Sequence, residues 1–274
     1  MNLKLSTNSQ FTIDNSQLNI TGSKSETNRL LLLQALFPNI TLANTSNSDD
    51  SEVMQKALKG NEEIVDIHHA GTAMRFLTAY FAVNEGRELV LTGSQRMTER
   101  PIKVLVEALE QLGAKISYEK EIGYPPIRIK KKKITASKVN IPANVSSQYI
   151  SALLLVAPKL ENGIEITLVG EITSVPYIKM TLALLNDLDI KTSFEGNVIT
   201  VYPKQEVASK VMTVESDWSS ASYFFSLAAL AENATISLNS YTETSLQGDS
   251  ALVEIYKQMG VETHFEGNKM TLVK

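Results

Sequence analysis

"DLDIKTSFEGNVITVYPK" (residues 187–204) and "QMGVETHFEGNKMTLVK" (258–274) follow one design, and "QLGAKISYEKEIGYPPIRIK" (111–130) repeats it. Each runs from a helix end through a turn residue (Gly113, Asp189 or Gly260), a strand, a tight turn and a second strand. "SFEGN" and "HFEGN" set Gly196 and Gly267 in matching hairpin turns, where positive φ is required.

Reading backward from each hairpin returns the same series. A helix opens on hydroxyl residues or glycine: "SKSETNRLLLL", "GTAMRFLTAYFAV", "SSQYISALLLVAP", "WSSASYFFSLAAL". An apolar strand follows ("NITLAN", "RELVLTG", "GIEITLVG", "NATISLNS"), then a second helix ("DDSEVMQKAL", "PIKVLVEALEQLG", "PYIKMTLALLNDLD", "GDSALVEIYKQMG"). Apolar residues three and four apart mark the helices, and Ile, Val, Leu and Thr mark the strands. Pro101 and Pro176 suit first helical turns, as Asp49 and Asp50 suit a helix N-terminus. The spacing therefore predicts an α/β (α+β) protein of four helix–strand–helix–strand–strand units, about seventy residues apart, the first with a degenerate hairpin at "NEEIVDIHH". In the first helix, Leu30, Leu31, Leu32, Leu33 and Leu36 are expected in the core.

The four helix starts carry the chemistry. Ser25, Gly71–Thr72, Ser146–Ser147 and Ser219–Ser220 open them, which N-capping would explain. Capping does not explain the cations gathered there: Lys24 and Arg29 at the first start, Arg75 in the second, and Arg96 and Arg100 in "GSQRMTERP". A cation at a helix N-terminus opposes the macrodipole by roughly 0.3–1 kcal/mol. Unpaired N–H groups and arginine forks together favour phosphate or carboxylate, so these starts are expected to bind anionic ligands.

Composition excludes several classes. The 274 residues are 43% hydrophobic and 20% charged with net charge −4, which describes a globular protein and argues against a duplex-binding surface. With no cysteine there is no disulfide, thiolate zinc site or cysteine nucleophile. "MNLKLSTNSQ" lacks an apolar signal region, and no uncharged apolar run approaches the roughly 20 residues that span a bilayer. A cytoplasmic protein without nucleic-acid or membrane partners is expected.

Other features read as scaffold. "RIKKKKIT" (128–135) fits a solvated edge strand protected from pairing. Trp218 is expected to pack in a core. His68 and His69, adjacent on a strand, would point to opposite faces, so no two-histidine metal site is expected. No G-x-G-x-x-G or P-loop occurs.

The segments "GSKSETNR", "SDD", "AGTAMR", "LTGSQRMTERPI", "YPP", "SSQYISALL", "SVPYIKMT", "SDWSSASY" and "LQGD" together resemble the 5-enolpyruvylshikimate-3-phosphate synthase (3-phosphoshikimate 1-carboxyvinyltransferase) family, in family order across essentially the whole chain. The resemblance implies the enolpyruvyl-transferase fold, an inside-out α/β barrel of two domains with three units each, monomeric when full length. It implies transfer of the enolpyruvyl group of phosphoenolpyruvate to shikimate-3-phosphate with release of phosphate, in the shikimate pathway of aromatic amino acid biosynthesis, with no metal or organic cofactor. On the matching motifs, Lys24 is implied as the catalytic lysine on phosphoenolpyruvate, and Ser25 and Arg29 as shikimate ligands. Gly71, Thr72 and Arg100 are implied in the phosphoenolpyruvate pocket. Ser146, Ser147 and Gln148, with Ser174 and Tyr177, are implied in the phosphoshikimate site. Asp50, His69 and Arg75 are further candidates.

Departures sharpen these expectations. His69 stands where the family usually has asparagine, Phe76 where a smaller residue or proline is common, and Val175 where lysine is frequent. Four units are recognised where the family has six, and the family's acid–base residues have no counterpart here. Residues 22–215 are thus expected to form one complete domain, and 1–21 with 216–274 one unit of an incomplete second. This chain alone is expected to bind phosphoshikimate weakly and turn over negligibly. The alternatives are a non-catalytic phosphoshikimate-binding fragment and a relative of UDP-N-acetylglucosamine enolpyruvyltransferase, which lacks the K-S-x-x-x-R signature.

Overall fold

Strand order reveals a repeat one element longer than the expected one. The computed structural model describes residues 12–84, 87–173 and 175–274, beginning with β1 (Thr12–Leu18), α1 (Lys24–Leu36), β2 (Ile40–Ala43) and α2 (Asp49–Lys59). A full copy follows: β3 (Ile64–Asp66), α3 (Gly71–Val83), β4 (Leu89–Thr92), the short α4 (Gln95–Thr98), α5 (Lys103–Leu112), β5 (Lys115–Tyr118) and β6 (Ile127–Lys130). The next is β7 (Lys138–Pro142), α6 (Ser147–Val156), β8 (Ile164–Val169), α7 (Val175–Asp187), β9 (Thr192–Glu195) and β10 (Val198–Val201). After β11 (Lys210–Thr213) come α8 (Trp218–Leu230), β12 (Asn233–Asn239), α9 (Leu252–Lys257), β13 (Glu262–Glu266) and β14 (Lys269–Val273).

Three sheets share one order: β3-β4-β6-β5, β7-β8-β10-β9 and β1-β12-β14-β13. In each the first two strands run parallel and the last three antiparallel. The parallel pair needs a crossover, and the intervening helix supplies it for β3–β4 and β7–β8. The repeat is therefore strand–helix–strand–helix–strand–strand. "NEEIVDIHH" is not a degenerate hairpin: it contains β3, the leading strand of the next copy. The α1–β2–α2 segment has no hairpin of its own, and β2 pairs with β11 instead. In the last copy β1 serves as leading strand, with Leu18 opposite Leu238.

The glycine turns take their expected shape. Gly113, Asp189 and Gly260 follow α5, α7 and α9 with φ of 106°, 56° and 82°, and Gly196 and Gly267 both have φ 59°. Ser48 and Asp49 begin α2 as the acidic residues require.

Contacts divide the described chain into two units. The larger comprises Lys24–Ala43 and Asn47–Met212. Its α1, α3 and α6 pack on one another, and α3 and α6 are buried on nearly every side. Such helices are apolar all round, as "GTAMRFLTAYFAV" and "SQYISALLLV" are. Leu30, Leu31, Leu32 and Leu33 are all within 5% exposure, whereas Leu36 is only half-buried. The sheets bury one face each, as the alternation along β4, β6, β7 and β8 shows.

The smaller unit comprises residues 12–23, Asn44–Ser46 and Thr213–Lys274. Trp218 is 1% exposed in its core with Phe225, Tyr241 and Met270. The Glu215 carboxylate accepts from Trp218 Nε1 at 3.0 Å, Ser245 Oγ at 2.6 Å and Thr242 N at 3.0 Å, tying the loop after β12 to the start of α8. Although α8 holds no charged residue, only Trp218, Ala221, Phe225 and Ala228 are buried; Tyr223 and Leu230 are 73% and 76% exposed.

Two scaffold expectations are overturned. The basic run starts on β6, an interior strand between β4 and β5, and continues into the segment after it. Its charges meet carboxylates: Arg128 pairs with Glu119 at 2.7 Å, and Lys133 with Glu161 at 3.2 Å. His68 and His69 lie beyond β3 in a turn, where the Asp66 carboxylate accepts from His68 N at 2.8 Å and His68 takes φ 49°. Among the described residues no helix is long and apolar enough to cross a membrane, and no cluster could hold a metal.

Candidate functional site

The first turns of α1, α3 and α7, all in the larger unit, share a construction. A side chain bonds back to the carbonyl four residues earlier: Arg29 Nη1 to Ser25 O at 2.7 Å, Arg75 Nη1 to Gly71 O at 3.0 Å, Thr181 Oγ1 to Tyr177 O at 2.9 Å. In α6, Ser147 and Ser151 have the same spacing, and Ser151 Oγ accepts from Thr181 Oγ1 at 3.0 Å. Because i and i+4 share a helix face, each start presents a polar row on an otherwise apolar helix.

Arg29 lies within this assembly, 2% exposed. Its Nε donates to Thr181 Oγ1 at 2.8 Å and its Nη2 to Ser151 Oγ at 3.1 Å. Its guanidinium stands 5.4 Å from the Phe76 ring centre and 5.8 Å from that of Tyr177. Every one of these oxygens is neutral. Burial lowers the Arg29 pKa to about 10, with nearby Tyr177 and Glu26 opposing the shift. Removing an ion from water costs several kcal/mol unless a counter-charge answers it, so this cation is held in place without being neutralised.

A second cluster forms around α3. Arg75, 4% exposed, donates from Nη2 to Pro101 O at 3.2 Å and faces the Tyr149 ring at 5.8 Å. The Tyr149 hydroxyl donates to the same carbonyl at 2.7 Å, and Arg75 Nε has no partner among the described residues. Burial lowers the Arg75 pKa first, and the positive charge of Arg100 adds to that effect. Arg100 itself is exposed and packs against Gly71, where a Cβ would stand 2.3 Å from Nη1. Gln148 Nε2 donates to Thr72 Oγ1 at 3.3 Å, joining α6 to α3. Arg29, Arg75 and Arg100 form no ion pair among the described residues.

The structure thus gathers Ser25, Arg29 and Tyr177 in one cluster, and Gly71, Thr72, Arg75, Arg100 and Gln148 in another around α3. Lys24 is exposed at the first position of α1, Ser146 is exposed, and Ser147 is 8% exposed. Ser174 lies outside the described residues. Asp50 is half-buried in α2 and His69 exposed before α3, and no described contact ties either to the cluster. Hydroxyl capping is not shared by all starts. Ser146 accepts from Gln148 N, but α3 is preceded by Ala70 without a side-chain cap, and α8 is capped by Asp217, which accepts from Ser220 N at 2.8 Å. Sequence reading missed Thr181, Ser151 and Tyr149. The signal was present for the first two: each lies four residues beyond a candidate, Tyr177 or Ser147.

The family profile described as EPSP synthase (3-phosphoshikimate 1-carboxyvinyltransferase) matches residues 54–274. A 3-phosphoshikimate 1-carboxyvinyltransferase of Bacteroides fragilis is 43% identical over 258 residues, covering 94% of this chain and 63% of the relative. The same-named protein of Colwellia psychrerythraea is 35% identical over 289 residues, covering 94% and 67%. That of Haemophilus influenzae is 38% identical over 283 residues, covering 89% and 63%. Among solved structures, an EPSP synthase from Acinetobacter baumannii superposes with a TM-score of 0.75 at 21% identity, covering 97% of this chain and 64% of that one. That likeness establishes the fold. The chain spans about 63% of the length of the Bacteroides relative.

Proposed function

Since the chain belongs to the EPSP synthase (3-phosphoshikimate 1-carboxyvinyltransferase) family, we propose that it forms the phosphoshikimate-binding part of an enzyme that transfers the enolpyruvyl group of phosphoenolpyruvate to shikimate-3-phosphate. The observation that carries this reading is the group of arginines at converging helix starts, with neutral partners and no ion pair among the described residues. Two anionic substrates would supply the missing negative charge. The shared name of the relatives favours phosphoshikimate over UDP-N-acetylglucosamine as acceptor.

In the reaction, the acceptor hydroxyl oxygen bonds to the substituted enol carbon while a proton goes to its methylene. The carbon–oxygen bond to phosphate then breaks and the new methyl group returns one proton, leaving an enol ether and inorganic phosphate. Lys24 and Arg100 are read as holding phosphoenolpyruvate beside Gly71 and Thr72. Ser25, Arg29, Gln148 and Tyr177, with Ser146, Ser147 and Ser174, are read as holding shikimate-3-phosphate. Helix-start N–H groups and arginine forks stabilise such anions electrostatically. Neither metal nor cofactor enters this scheme.

The larger unit is read as the complete domain and the smaller as one of three units of a second. The exposed apolar face of α8 fits that reading, because relatives extend well beyond the matched length. Acid–base groups from such further units would be needed, so the 274 residues alone are expected to bind and not to turn over. Calorimetry with shikimate-3-phosphate tests the site. Measurable binding that Arg29→Ala abolishes supports it; binding indifferent to that substitution removes Arg29 from the ligand's contacts. Phosphate release above background with both substrates would refute the expected inactivity.

A further inference from the structure

We propose that Thr181 and Ser151 are positioning residues that set the plane of Arg29 and keep its outer fork available for an anion. The inference rests on the reading of Arg29 as a phosphoshikimate ligand, but its geometry stands alone. A guanidinium has five N–H donors in a rigid plane. Nε and Nη2 share one edge, and that edge meets two hydroxyl oxygens, Thr181 Oγ1 at 2.8 Å and Ser151 Oγ at 3.1 Å.

Those oxygens are bonded to each other at 3.0 Å. They match the edge as the two oxygens of a carboxylate would, yet carry no charge. Nη1 donates once to Ser25 O at 2.7 Å. Three of the five donors are then fixed, and the two N–H bonds left over, one on each terminal nitrogen, form the end fork. No described residue receives them.

An aspartate in place of the hydroxyl pair would orient the group equally well and neutralise it. Hydroxyls orient it and leave the charge to a ligand. They also join three helices, since Arg29 is on α1, Ser151 on α6 and Thr181 on α7. The single Thr181 hydroxyl proton has a second acceptor in reach, Tyr177 O at 2.9 Å, so the residue that fixes the arginine also touches the backbone of a proposed ligand-binding tyrosine.

Two readouts on the 274-residue chain test this: hydrogen exchange of the Arg29 Nε–H by NMR without ligand, and calorimetry with shikimate-3-phosphate. Thr181→Val keeps the shape and removes the acceptor. It is expected to speed Nε–H exchange at least tenfold and weaken binding about tenfold, the scale of one hydrogen bond to a charged group. Thr181→Ser should restore both, and Ser151→Ala should weaken binding with a thermal midpoint close to the parent's. Should Thr181→Val not fold, Ser151→Ala and Thr181→Ser decide. Unchanged exchange in the substituted chains, or faster exchange with unchanged affinity, overturns the proposal. If the parent chain binds no shikimate-3-phosphate, the proposed function fails instead, and Nε–H exchange still judges the positioning.

Discussion

At the scale of single residues, Arg29 ties stability and binding to pH in opposite directions. Burial lowers its pKa to about 10 in the folded chain, so just above that pH the unfolded state holds more protons. Stability contributed by this group therefore rises as pH climbs past about 10, and its charge is a cost at neutral pH. Binding of an anion needs the charged form and runs the other way. Affinity for shikimate-3-phosphate is expected to be level between about pH 7 and 9, where the phosphate is fully ionised, and to fall about tenfold per unit above about 10, checked by calorimetry across that range. Lys24, Arg29 and Arg100 could be picked out in the sequence because a cation at a helix start is out of place in a plain scaffold, and Gly71 because its motif resembles the family's. Thr181, Ser151 and Tyr149 could not. Thr181 and Ser151 meet Arg29 across 152 and 122 residues of chain, and such meetings leave no local trace.

Among elements, turns were legible and pairing order was not. A left-handed residue after a helix has a chemical signature, and Gly113, Asp189 and Gly260 carry it at equivalent places. Asp189 is the strained member, a non-glycine at φ 56°. Its backbone carbonyl, not its side chain, accepts from Lys204 Nζ at 2.9 Å. Asp189→Gly is accordingly expected to stabilise the chain by about 0.5 kcal/mol, and Gly113→Ala at φ 106° to destabilise it by about 1 kcal/mol, both read from denaturant midpoints. The leading strands escaped notice for a different reason. β3 is three residues, "IVD", too short to show alternation, and β7 alternates over "KVNI" but ends in Pro142, a residue that argues against a strand. The placing of β6 inside its sheet was equally hidden, because the last two strands pair out of sequence order and the basic run looks the same on an edge or within.

For the molecule as a whole, the single tryptophan gives each unit its own voice. Trp218 is buried in the smaller unit and the larger unit has none, so fluorescence follows one unit while circular dichroism follows both. The smaller unit has one helical layer on one sheet and an uncovered α8 face, so its fluorescence transition is expected at lower urea than the main dichroism transition. Coincident transitions would instead mean that the two units unfold together. The assignment of β1 to a sheet finished by β14 was not legible in the sequence, since nothing local announces a partner so far away. That closure has a consequence in time. On a ribosome β1 is made early, while its partner β12 and the hairpin β13–β14 emerge after more than two hundred further residues. At about 5–20 residues per second the strand waits on the order of ten seconds or longer. The larger unit, whose segments all lie between, can be complete first. The first of the described strands to be synthesised is thus among the last of them to find its place, and through that interval its unpaired edge is open to a chaperone or to a neighbouring nascent chain.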